Sequence, residues 1–61
     1  TASYNVYYQL AERYEEFAKD DNAALEAYKQ GYEIEKKETK RDNKEIKAKI
    51  KALEAKLNKK K

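Results

Sequence analysis

The sequence predicts an all-α protein: a helical hairpin plus a third helix, arranged as a three-helix bundle or as a hairpin with a coiled-coil extension. Three observations predict it. The 61 residues contain no Pro and a single Gly, so almost nothing interrupts a helix. Apolar residues recur at steps of three and four along most of the chain. Two polar clusters, residues 19–22 and 36–43, divide the periodic segments into three. The chain therefore reads as one small helical domain with helices at about 4–19, 23–38 and 43–58.

The first helix opens after Ser3, a residue type that caps helices through its hydroxyl. In VYYQLAERYEEF, residues 6–17, the side chains of Tyr7, Leu10, Tyr14 and Phe17 share a stripe that reads as the buried face. Tyr4, Tyr8, Ala11 and Ala18 form an adjacent stripe. A helix apolar over this much of its circumference is contacted on two sides. Asp20, Asp21 and Asn22 then favour a turn, and their charge suits the N-terminus of a following helix.

That second helix carries Leu25, Tyr28 and Tyr32 as its main stripe, and Tyr28 is expected to meet Tyr14 across the hairpin. Ala24, Ala27, Gly31 and Ile34 make a second row of mostly small residues, which lets another backbone come close. Gly31 costs about 1 kcal/mol relative to Ala in a helix, so close packing is its reason. KKETKRDN, residues 36–43, has no large apolar side chain and reads as an extension of helix two, a loop, or both. Asp42 with Glu45 matches a capping box. The third helix presents Ile46, Ile50, Leu53 and Leu57 at 4-3-4 spacing, a narrow seam with Asn43 in register.

Composition sets the function classes. Charged residues make up 44%, and only 15 residues are apolar and larger than Ala. So small a core is marginal by itself, and disulfides, metals or association usually reinforce it. There is no Cys and no His, so disulfides are excluded and no zinc site is expected. Association with another copy or a partner helix is the expected reinforcement. Tyr4, Tyr8, Ile46, Ile50, Leu53 and Leu57 are the expected interaction residues, and the seam is expected to pair between copies with Asn43 specifying the pairing. Tyr supplies large, rigid contacts with a polar tip, which suits both interfaces and boundary layers.

Catalysis lacks its parts. A nucleophile, base or metal held in a dry site is needed. The only non-phenolic hydroxyls are Thr1, Ser3 and Thr39, and Glu12, Glu15 and Glu16 read as a solvated face. The spacing of Asp20, Asp21 and Asn22 is not that of a calcium loop. No catalytic, metal or cofactor-binding residue is assigned, and no cofactor is expected. No apolar run approaches the ~20 residues of a transmembrane helix. The chain does not begin with Met and shows no signal peptide, as an excised domain or processed product would. The residues fix no compartment.

Charge is unevenly spread. Residues 1–31 hold three basic and six acidic side chains, and residues 32–61 hold twelve and six. A basic half raises the alternative of a nucleic-acid or acidic-surface binder using the third helix. No Arg cluster or glycine-rich loop accompanies the lysines, so Lys solvating an exposed helix is the favoured reading and nucleic acid is not the expected partner. A chain free of Cys, His, Met, Trp and Pro, with Lys, Glu and Ala filling the third helix, also fits an engineered helical scaffold.

Residues 4–36 resemble a tetratricopeptide repeat, a 34-residue helical hairpin. Tyr7 stands where the motif prefers Trp, Leu10 and Ala11 for its Leu-Gly pair, and Tyr14 for its first-helix Tyr. Ala24, Tyr28 and Gly31 stand for its small, aromatic and small positions. The turn is one residue longer than the motif's, and Lys36 falls where its terminal Pro would be. The resemblance implies a protein-binding hairpin. ALEAYKQGYE with the basic third helix also resembles microtubule-interacting-and-transport domains, which bind partner helices in a groove. DNKEIKAKIKALEAKL resembles M-type bacterial surface coiled coils. One heptad register runs from Leu25 to Leu57 but meets Lys29 and Lys36, so a hairpin plus third helix is favoured over a continuous rod.

Overall fold

The computed structural model describes residues 3–59. It is all-α among those residues: helix α1 spans Tyr4–Arg13, α2 Asp21–Thr39 and α3 Lys44–Lys59, with a π-helical turn at Tyr14–Ala18 continuing α1. Helix α2 is central. Helix α1 packs along one side of it and α3 along another, while α1 and α3 do not pack on each other. The backbone measures 35 × 20 × 14 Å, the shape of helices laid side by side. The segment at 36–43 is both of its sequence readings: α2 runs on to Thr39 and a short loop follows.

Side chains at the helix ends explain the boundaries. Ser3 holds the N-cap position of α1 but makes no side-chain capping bond; its carbonyl accepts from Val6 N at 3.1 Å. Asp20 caps α2, its Oδ1 accepting from Ala23 N at 3.1 Å, so this helix starts two residues before the predicted Ala23. The expected capping box of Asp42 and Glu45 does not form. Asn43 caps α3 instead, with Oδ1 accepting from Ile46 N at 3.2 Å, because Asp42 is engaged by the Tyr32 hydroxyl. Lys19 and Lys40 end the preceding helices in the left-handed region, at φ 55° and 57°. The terminal Lys60 and Lys61 of the basic tail lie outside the described residues.

The core contains Ala11, Ala24, Ala27, Tyr28, Ile46 and Leu53. Between α1 and α2 it is built from small residues. Ala11 and Ala24 have no exposed surface. At Gly31 an added Cβ would stand 2.6 Å from Tyr8 Cε1 and 3.1 Å from Tyr7 Cβ. The small row of α2 thus brings the two backbones together, and the ring of Tyr8 lies on Gly31.

This close approach overturns one expectation. The buried stripe of α1 is the second one, with Tyr4 and Tyr8 half-buried and Ala11 fully buried. The first stripe is largely outside: Leu10 is 40% exposed, Tyr14 36% and Phe17 80%. Tyr14 does not face Tyr28. Tyr28 instead packs against Tyr8, ring centroids 6.4 Å apart, and its hydroxyl stands 3.5 Å from Glu15 Oε1. The physical reason is size. Helices approach closely where side chains are small, and the buried small residues are Ala11 on α1 and Ala24, Ala27 and Gly31 on α2. The π-helical turn adds to this, because its wider turn swings Phe17 off the α-helical register.

Candidate interaction surface

The six residues expected to mediate association are used mainly within the chain. Tyr4 is half-buried and meets Tyr8 edge-on at 5.8 Å. Tyr8 packs on Tyr28, and its hydroxyl donates to Glu35 Oε1 at 2.6 Å. Ile46 and Leu53 are buried, and Ile50 and Leu57 are half-buried. The seam of α3 therefore lies along α2 of its own chain, beside Leu25, Tyr28 and Tyr32. Asn43 caps α3 within the chain.

Lysines secure this docking. Lys29 pairs with Glu54 at 3.3 Å and Lys56 with Asp21 at 3.5 Å, joining α2 to α3. Lys49 lies over the Tyr28 ring at 5.7 Å and Lys36 over Tyr32 at 5.8 Å. Of the twelve basic side chains in residues 32–61, Lys36, Lys49 and Lys56 take part in these contacts.

What stays uncovered is on α1. Val6, 45% exposed, joins Leu10, Tyr14 and Phe17 on one continuous apolar face. Tyr7, Leu10 and Tyr14 also form one wall of a groove whose other wall is Ala23, Glu26, Ala27 and Gln30 of α2. The face ends at the π-helical turn, where Lys19 N and Asp20 N both donate to Tyr14 O, the latter at 2.9 Å. Leu10, Tyr14 and Phe17 were visible in the sequence as the stripe read as buried, and Val6 was not placed on it. The signal that they are outside was the small-residue match of Ala11 with Ala24 and Gly31.

Several tyrosines titrate abnormally. Burial, aided by the Glu15 carboxylate, pushes the Tyr28 phenol up to about 12. Burial and the bond to Glu35 raise Tyr8 further. The Tyr32 phenol is raised by its bond to Asp42, and that bond holds the Asp42 carboxyl below its ordinary range. Among the described residues no cluster of acidic side chains is placed to hold a metal ion, and no helix is long and apolar enough to cross a membrane. No protein-family model, curated protein or solved structure matches this chain.

Proposed function

We propose that the chain is a non-enzymatic interaction and oligomerisation module that acts by helix-to-helix docking through α1, its occupant being α1 of a second copy. The observation that carries this is the exposed apolar face of Val6, Leu10, Tyr14 and Phe17. A molecule with so thin a core gains most from covering such a face. Tyr7, Leu10, Tyr14 and Phe17 repeat at 3-4-3, the spacing of a helix-pairing seam. The stripe is also self-complementary. An antiparallel pairing about a two-fold axis sets Leu10 of each copy opposite Tyr14 of the other, and Tyr7 opposite Phe17. The tetratricopeptide-like pattern supports the same reading, since such hairpins cover their faces by stacking on neighbours.

The test uses Phe17, whose side chain is too exposed to matter for the fold of one copy. The wild-type melting temperature rises with protein concentration by mass action, and that of Phe17→Glu does not. A wild-type Tm that is flat with concentration contradicts the proposal.

A further inference from the structure

Helices α1 and α3 do not pack on each other, yet one carboxylate touches both α1 and the cap residue of α3. Glu35, on α2, is only 8% exposed. Its Oε1 accepts from the Tyr8 hydroxyl of α1 at 2.6 Å and from Asn43 Nδ2 at 3.0 Å. Asn43 in turn caps α3 through Oδ1. The remaining charged or titratable groups around Glu35 are Tyr4 behind Tyr8 on α1, Tyr32 on α2 and Arg41 in the loop. The Thr39 hydroxyl donates to the Glu35 carbonyl at 2.8 Å, which fixes the backbone under the carboxylate.

We propose that Glu35 is a latch that makes the docking of α1 and the docking of α3 on α2 depend on each other. The chemistry of the acceptor requires the arrangement. An ionised carboxylate only accepts, so it faces the NH2 end of the Asn43 amide and turns the carbonyl end toward α3. Glu35 therefore decides which way the cap of α3 points. Tyr8 restrains that carboxylate, and a short bond to a charged acceptor is among the stronger hydrogen bonds. When α1 lifts, Glu35 loses the partner that holds it against Asn43, and α3 loses an oriented cap. When α3 lifts, Tyr8 faces a carboxylate free to turn toward water. The inference is independent of what covers the outer face of α1.

A double-mutant cycle on the full chain tests it. Tyr8→Phe keeps the ring and removes the hydroxyl. Asn43→Ser keeps a good N-cap and removes the NH2 donor. Both changes are small enough to leave a folded protein. Unfolding equilibria measured in urea for the wild type, both single variants and the double variant give the coupling. The latch predicts that the double variant is at least fivefold less destabilised than the product of the two single effects. A double variant within twofold of that product, or single variants each with less than a twofold effect, overturns the proposal. Amide exchange supplies the spatial readout: Tyr8→Phe speeds exchange in the first turn of α3, whereas unchanged rates there count against the latch.

Discussion

Gly31 carries the closest approach in the molecule, and it makes the sharpest single-residue prediction. Ala in its place gains about 1 kcal/mol of helix propensity. The new methyl would stand 2.6 Å from the Tyr8 ring, which is itself held against Tyr4 and Tyr28 and cannot swing away. Overpacking of this kind costs about 1–3 kcal/mol, so Gly31→Ala is net destabilising in urea unfolding. A more stable variant would show that the helices can part at no loss. Tyr28→Ala removes the one large side chain with almost no exposure among the described residues. The cost is about 3–5 kcal/mol, enough to abolish a cooperative transition.

Glu35 gives the pH dependence at the same scale. Hydrogen bonds from Tyr8 and Asn43 hold its carboxyl below the ordinary 4.5, against the opposing effect of burial. A depressed carboxyl contributes stability that is full above the unfolded value and lost as pH falls through the folded one. Tm should therefore drop below about pH 4.5, and less so in Tyr8→Phe. At the alkaline end the tyrosines act with the opposite sign. Phenols raised by burial favour the neutral fold, so stability declines as pH climbs through and above 10.

At the scale of elements, the three helices were legible because Pro is absent, Gly is single and apolar residues recur at helical steps. The breaks were legible too. Asp20 and Asn43 are cap-forming residues, and both side chains cap. Less legible were the two stripes of α1, since eight apolar positions lie within one helical face and its flank. Periodicity places them together but does not rank them. The ranking came from the partner helix, where Gly31 takes Tyr8 and Tyr7 against it and Ala24 and Ala27 share the buried cluster with Ala11. For the same reason Leu10, Tyr14 and Phe17 were read as core and lie largely outside, while Ile46 and Leu53, read as interface, are buried within the chain. The π-helical turn leaves no signal in the periodicity of the sequence. Helix ends also offer a prediction. Lys19 and Lys40 adopt left-handed backbone, which costs a side-chain-bearing residue about 1 kcal/mol and Gly nothing. Lys19→Gly and Lys40→Gly should each stabilise by about 0.5 kcal/mol, read as a higher urea midpoint with unchanged slope.

For the whole molecule, each helix pair depends on α2, and α3 covers the side of Tyr28 and Leu25 that α1 does not reach. Removing residues 43–61 uncovers that side and takes away the Asn43 contact to Glu35. The remaining hairpin should lose cooperative unfolding, followed by circular dichroism on heating. The central claim is that the apolar face of α1 pairs between copies. Sedimentation equilibrium across a hundredfold dilution tests it most directly. The account predicts a mass that climbs from 7.2 kDa toward twice that value with concentration in the wild type, and stays at the monomer value in Phe17→Glu. A wild-type chain that remains at 7.2 kDa over the whole range would contradict it.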